Sequence, residues 1–374
     1  MKEYGLALAG GGAKGAYQIG VWEALCTLSV PVSCITGTSV GSINAALFAE
    51  GDFDLAKQLW TEITLEQVIR LPEGVSERNN LFSVVNFPAL LREIHKHNGL
   101  AADPLRALLI RLIDEKKLRS SKIRFGLTAT SLSEFKNDKV FLEEIPEGQV
   151  VDFIMASACF PGLKTQYLEN KPYADGGITN NLPVDMLFSS GYQNVIAVDI
   201  GGVGWVQKYG AYDRNVIFIR CSENIVGVFE FEREQLLRCM RLGYLDTLKC
   251  FGRLTGERYF FNVGDYARSR GSYSAEILSG LEAAAEAFGI DRCKIYKVDS
   301  LIEGVLHGYH TVKKQLDPSE KPDLFSKFKP KDPQAIVRIC DMLREQPADR
   351  GNILLNILGE NLAAAGSIAY FLKS

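Results

Sequence analysis

Residues 4–51 read YGLALAGGGAKGAYQIGVWEALCTLSVPVSCITGTSVGSINAALFAEG. Residues 4–9 form a short, continuous apolar run, as expected of a strand buried on both faces. After the glycines, a helical pattern runs to about Leu28. Its small residues Ala13, Ala16, Gly20 and Ala24 make one smooth face, which predicts close packing on a sheet. Pro31 ends that unit, residues 32–36 read as a second strand, and residues 40–49 as a second helix closed by Gly51. Two parallel strands linked by a helix imply an α/β sheet.

The pattern extends outward from there. Residues 52–120 read as helical, with Asp103-Pro104 as a helix start: a side-chain cap followed by proline at the first helical position. Strands follow at 123–130 and 139–143, and a helix at 150–158. Residues 166–168, a Glu169-Asn170-Lys171 turn and residues 172–174 predict a hairpin ending at Asp175. Residues 194–200 and 216–220 are two more apolar strands. From Tyr273 onward the periodicity is helical, with breaks near 317–333 and 347–349. The expected division is 1–270, with a helical insertion at about 52–120, and a helical region 271–374.

Composition narrows the function classes. The chain has 374 residues, 47% of them hydrophobic, and 42 Lys and Arg against 45 Asp and Glu, a net charge of −3. That balance excludes a strongly basic nucleic-acid binder and a disordered polyelectrolyte. The eight cysteines are scattered, with no C-x-x-C and no Cys/His cluster, so neither a metal nor a disulfide framework is expected, and reduced thiols point to the cytoplasm. The apolar start is too short for a signal peptide. No run of 18 apolar residues occurs; the C-terminal stretch comes closest but is broken at Gly359-Glu360-Asn361.

Gly10-Gly11-Gly12-Ala13-Lys14-Gly15 follows a strand and opens a helix. It satisfies the dinucleotide fingerprint literally, but no Asp or Glu occurs between Glu23 and Glu50 to hold a ribose. Ala16-Tyr17 after Gly15 also excludes a phosphate-binding Walker loop. What remains is a turn of bare backbone N–H groups that stabilises negative charge, bound or developing. The second strand ends in Gly37-Thr38-Ser39-Val40-Gly41, a G-x-S-x-G stretch in strand–turn–helix context. It presents Ser39 as a nucleophile at a helix N-terminus. The carboxyl ends of adjacent parallel strands lie together, so the two loops can meet.

A serine needs a base. His95 and His97 lie in a lysine-rich helical stretch that reads as solvated. His307 and His310 follow both the serine and an aspartate in chain order, as in α/β-hydrolases. Asp175, in Tyr173-Ala174-Asp175-Gly176-Gly177, ends a strand at a Gly-Gly turn. These residues alone leave the histidines and Asp175 as rivals.

Together, the motifs resemble the patatin-like phospholipase family over about residues 4–200. Gly10, Gly11, Gly12, Lys14 and Gly15 match its G-G-G-x-[KR]-G motif. Gly37, Ser39 and Gly41 match its G-x-S-x-G motif, and Asp175, Gly176 and Gly177 its D-G-[GA] motif. Residues 156–161 are close to its A-S-x-A-x-P stretch, with one departure before Pro161. The resemblance implies a three-layer α/β fold on a mostly parallel sheet. It implies a Ser39–Asp175 dyad without histidine, and hydrolysis of lipid acyl esters without cofactor or metal. The oxyanion would be held by the N–H groups of Gly11 and Gly12 with that of Val40, and Lys14 would brace the loop. A lipid or micelle surface is the expected partner, with a peripheral membrane location and residues 52–120 as the docking candidate. The C-terminal region is open to dimerisation. An acyltransferase on the same dyad and a non-catalytic lipid- or partner-binding module are the alternatives.

Overall fold

The structure is a computed structural model that describes residues 3–70, 96, 99–206, 215–221, 223, 226–316, 331–345 and 351–373, the stretch 351–359 by backbone alone. Of the helical stretch expected at 52–120, residues 71–95, 97 and 98 lie outside the described residues, and His95 and His97 with them. The chain divides into two compact units, Met1–Cys250 and Phe251–Ser374.

The first unit runs β1 (Tyr4–Leu8), α1 (Ala16–Thr27), β2 (Val32–Thr38), α2 (Val40–Glu50), α3 (Phe53–Glu62), α4 (Asp103–Leu112), α5 (Glu115–Arg119), β3 (Arg124–Ser131), β4 (Lys136–Phe141), α6 (Val150–Ser157), β5 (Gln166–Leu168), β6 (Lys171–Asp175), α7 (Gly177–Asn180), α8 (Val184–Ser189), β7 (Asn194–Asp199), β8 (Asn215–Arg220) and α9 (Arg233–Cys250). The strands form one mixed, mostly parallel sheet in the order β5-β6-β3-β2-β1-β7-β8, with β4 on β3. Strands β3, β2, β1, β7 and β8 run parallel, so an α/β architecture is observed.

One detail of register positions the site. Strand β2 pairs β3 up to Thr38 opposite Thr128. Strand β6 then pairs β3 from Asp175 opposite Ala129 onward. Because β4 occupies the other edge of β3 along both stretches, β2 and β6 share one edge end to end. The chain position after β2 and the last residue of β6 therefore converge.

The smooth face of α1 is used differently from the expectation. A Cβ on Gly20 would lie 1.8 Å from the Met240 carbonyl oxygen, and one on Gly243 would lie 2.0 Å from that of Tyr17. The glycines thus let α1 and α9 approach backbone to backbone, so this face meets a helix rather than the sheet. Helix α1 is buried nearly all round, Glu23 excepted among its first ten residues. The start of α4 also shifts by one residue: Ala102 is the cap position, and the Asp103 side chain faces Arg70 at 3.8 Å.

The second unit holds a three-stranded sheet, β9 (Leu254–Thr255), β10 (Phe260–Asn262) and β11 (Ile295–Tyr296), with helices α10 (Val263–Ser272), α11 (Ala275–Ala287), α12 (Val298–Gln315), α13 (Pro333–Glu345) and α14 (Gly351–Phe371). Its core gathers Tyr259, Phe261, Leu281, Leu301, Tyr309 and Ile336. The expected boundary near 270 falls inside α10, and the division lies some twenty residues earlier, because Tyr259 and Phe261 are already buried in this core.

Candidate active site

Ser39 stands between β2 and α2 with φ 55° and ψ −127°. That conformation is strained for a residue with a side chain, of order 1–3 kcal/mol, and persists only where the surroundings fix it. The flanking glycines make room for it: a Cβ on Gly37 would lie 2.2 Å from the Gly41 carbonyl oxygen, and one on Gly41 2.3 Å from that of Leu8. Ser42 holds the Ser39 carbonyl oxygen through its N–H at 2.8 Å and its hydroxyl at 2.6 Å. The Ser39 N–H donates to Ser157 Oγ at 2.9 Å.

Asp175 ends β6 and is buried. Its carboxylate accepts a hydrogen bond from Ser39 and one from the Gly177 N–H at 2.7 Å. Burial pushes its pKa up to about 6, against the lowering effect of those two donors. A carboxylate of that basicity is ionised at neutral pH yet able to take a proton. Its backbone is fixed as well, with the Asp175 N–H donating to the Cys159 carbonyl oxygen at 2.7 Å. The nearby Cys159 thiol is pushed up to about 11 by burial, which favours the neutral thiol there.

The glycine loop lies against both. A Cβ on Gly10 would sit 3.0 Å from Ser39 Cβ and 2.6 Å from Asn181 Oδ1. Gly10 and Asn181 are tied by Gly10 N–H to Asn181 O at 3.2 Å and Asn181 Nδ2 to Gly10 O at 3.3 Å. Gly12 takes φ +56°, and a Cβ there would lie 2.2 Å from the Val228 carbonyl oxygen. Among the described hydrogen bonds, the N–H groups of Gly11, Gly12 and Val40 have no acceptor, whereas those of Gly10, Ala13 and Lys14 do. Lys14 Nζ donates to the Gly201 carbonyl oxygen at 2.9 Å.

A buried amide chain holds the loop from behind. Gln18 Nε2 donates to Ala9 O at 2.7 Å, and Asn44 Nδ2 donates to Gly15 O at 3.0 Å and Gln18 Oε1 at 2.8 Å. Trp60 Nε1 donates to Asn44 Oδ1 at 2.8 Å. Both ends of the glycine loop are thus fastened to the helix that Ser39 begins.

Two cavities meet at Ser39. The larger, about 570 Å³, is lined by the Gly10–Gly12 backbone, Asp175, Asn181, Val203 and Glu230 among others. The smaller, about 90 Å³, is lined almost wholly by apolar side chains, including Ile43, Trp60, Leu105, Leu108 and Leu109. Gly12, Ser39, Phe160, Val228 and Phe229 border both.

Of the residues expected from sequence, the structure brings Ser39, Asp175, Gly10, Gly11, Gly12 and Gly177 to one cavity. Gly37, Gly41 and Gly176 shape the turns behind it; a Cβ on Gly176 would lie 2.4 Å from the Thr128 carbonyl oxygen. His307 and His310 are exposed on α12 in the second unit. Gln18, Asn44, Trp60 and Asn181 escaped the sequence reading, and Ser157 entered it as part of the A-S-x-A-x-P stretch with no role given. Buried amides inside the otherwise apolar helices α1 and α2 are the signal that could have exposed Gln18 and Asn44. Among the described residues, no cluster of three or more His, Cys, Asp or Glu side chains could hold a metal ion.

Residues 6–188 match the family described as patatin-like phospholipase. The chain carries a patatin-like phospholipase domain. Similar proteins include patatin-like phospholipase domain-containing protein 7 of Rattus norvegicus, 28% identical over 203 residues, covering 52% of this chain and 13% of that protein. Patatin-like phospholipase domain-containing protein 6 of Homo sapiens is 30% identical over 200 residues, covering 52% of this chain and 13% of that protein. Lysophospholipase NTE1 of Saccharomyces cerevisiae is 28% identical over 199 residues, covering 53% and 11%. The chain therefore spans only a small part of the length of these relatives. Among solved structures, VipD from Legionella pneumophila aligns over 100% of this chain and 90% of its own, at 14% identity and a TM-score of 0.44. The patatin-like domain contains every residue of the Ser39–Asp175 cluster, but not the Val228 segment that closes on Gly12.

Proposed function

We propose that this patatin-like domain is a lipid acyl hydrolase that works through an acyl-serine intermediate. The observation that carries the reading is the strained Ser39, hydrogen-bonded to a buried carboxylate of raised pKa beside unpartnered backbone N–H groups. Asp175 takes the hydroxyl proton as Ser39 Oγ forms a bond to the ester carbonyl carbon, and the carbonyl π pair moves onto oxygen. The N–H groups of Gly11, Gly12 and Val40 are the donors suited to that oxyanion; one such donor is typically worth about 3–4 kcal/mol of barrier. Collapse breaks the bond to the alcohol, which leaves with the proton from Asp175. Water then attacks the acyl-serine, gives its proton to Asp175, and Ser39 recovers it as the fatty acid departs.

The two cavities suit the two halves of such a substrate. The apolar one beside Ser39 fits the acyl chain, and the larger one fits the alcohol. An apolar cavity of about 150 Å³ takes one benzene ring, so 90 Å³ takes the first few carbons of a chain. No described helix is long and apolar enough to cross a membrane. On this reading the domain meets its lipid at a surface or micelle.

The test is fatty-acid release from lysophosphatidylcholine and from a monoacylglycerol, each below and above its critical micelle concentration. Wild-type protein should release acid, faster from the aggregated lipid, and Ser39→Ala should release none. Equal release by both proteins would overturn the reading.

A further inference from the structure

The A-S-x-A-x-P stretch has no part in the dyad, yet its serine touches Ser39 and the residue that follows Asp175. Ser157 is the last residue of α6 and is fully buried, at 0% exposure. Its hydroxyl oxygen accepts the Ser39 N–H at 2.9 Å, across 118 residues of sequence. Its carbonyl oxygen accepts the Gly176 N–H at 3.2 Å, and two residues on, the Cys159 carbonyl oxygen accepts the Asp175 N–H at 2.7 Å. The end of one helix therefore grips the backbone of the serine and of the aspartate together.

The elbow needs such an anchor. The constraints on Ser39 from Ser42, Gly37 and Gly41 come from its own strand and helix and from β1 beside them. Ser157 ties the Ser39 backbone to the segment that also holds the backbone of Asp175 and Gly176. It also engages the Ser39 N–H, which leaves Gly11, Gly12 and Val40 to serve the oxyanion.

We infer that Ser157 is a positioning residue for this hydrolysis: it sets Ser39 Oγ against the Asp175 carboxylate through the Ser39 and Gly176 N–H groups. The inference rests on the Ser39–Asp175 reading above. A small displacement of reacting groups can lower a rate about a hundredfold.

The experiment compares wild type, Ser157→Ala and Ser157→Cys on a soluble p-nitrophenyl ester, well below each protein's thermal midpoint. Ser157→Ala removes the acceptor for the Ser39 N–H but keeps the carbonyl that holds Gly176. The expected result is a kcat lower by roughly ten- to a hundredfold, with KM within about twofold and the acid-limb midpoint of the pH profile unmoved. Ser157→Cys fills the site with a weak acceptor and should show the same loss, which keeps the question open to test if the alanine variant does not fold. A folded variant with wild-type kcat, or a loss confined to stability or KM, overturns the inference while leaving the dyad intact. Wild-type protein that hydrolyses no ester overturns the dyad reading itself, and this inference with it.

Discussion

Each unit buries a carboxylate at a turn of the chain, and the two are treated in opposite ways. In the second unit, Glu282 is 0% exposed and accepts the backbone N–H groups of Glu257, Arg258 and Tyr259. The loop wraps around the carboxyl group and satisfies it. In the first unit, Asp175 accepts, among the described residues, the Gly177 N–H and the Ser39 hydroxyl, and burial pushes its pKa up to about 6. Charge-assisted bonds to three donors make a carboxylate a structural nucleus. Desolvation with two donors suits a carboxylate to act as a base. The difference teaches that burial alone says little about a carboxylate, and that the number of donors around it decides its use.

The comparison breaks most sharply under substitution. Asp175→Asn should keep the fold and lose ester hydrolysis by roughly ten-thousandfold, the scale seen when a dyad or triad member is removed. Its effect on stability should have the opposite sign. The folded pKa of Asp175 lies above its unfolded value, so the carboxyl favours folding when protonated, and that stability is lost as pH rises from about 4 through 6. Above pH 7, Asp175→Asn should therefore raise stability, by up to about 3 kcal/mol in a denaturant titration. Glu282→Gln should do the reverse and lower stability by roughly 3 kcal/mol, since an amide offers one acceptor and turns donors toward the N–H groups. If both substitutions destabilise alike, the two carboxylates are not different in kind.

The pH profile sharpens the same contrast. With Asp175 as base, kcat/KM on a neutral ester should rise about tenfold per unit below pH 6, bend near 6 and run flat above it. His307→Ala and His310→Ala should leave the curve where it is, because both side chains are exposed on α12. A histidine variant that removes the acid limb would replace the dyad with a triad.

A smaller effect concerns the apolar cavity. Leu108→Ala enlarges that cavity and leaves the Trp60–Asn44–Gln18 chain intact. The ratio of kcat/KM for octanoyl over butanoyl esters should rise roughly tenfold, since each methylene in such a pocket is worth about 1–3 kcal/mol. An unchanged ratio in folded protein would place the acyl chain elsewhere.

What could be read in the sequence was what is local. The βα unit, the Gly10–Gly15 loop and the Ser39 elbow are patterns of a few residues whose conformation their own glycines dictate. The hairpin ending at Asp175 was equally readable, but the role expected of Asp175 came from the family resemblance and not from the residues alone. Asp175 reaches Ser39 only because β6 takes over the edge of β3 where β2 stops, a register that no stretch of sequence states. The contact of Ser157 is hidden for the same reason, since the N–H it accepts lies 118 positions away along the chain. The unit boundary was misplaced because a short sheet precedes the helices and Phe260 and Phe261 look like ordinary strand residues until their core is seen. The partner of Gly20 was misjudged because a smooth helical face does not say whether a sheet or Gly243 of another helix lies against it.

The central claim is that Ser39 is a nucleophile activated by Asp175, and covalent labelling tests it most directly. The protein is treated with a fluorophosphonate ester and its intact mass and peptides are measured, beside Ser39→Ala and Asp175→Asn. The account predicts a single adduct on the peptide containing Ser39, none in Ser39→Ala, and greatly slowed labelling in Asp175→Asn. Folded wild-type protein that takes no adduct, or takes it on another residue, would contradict it.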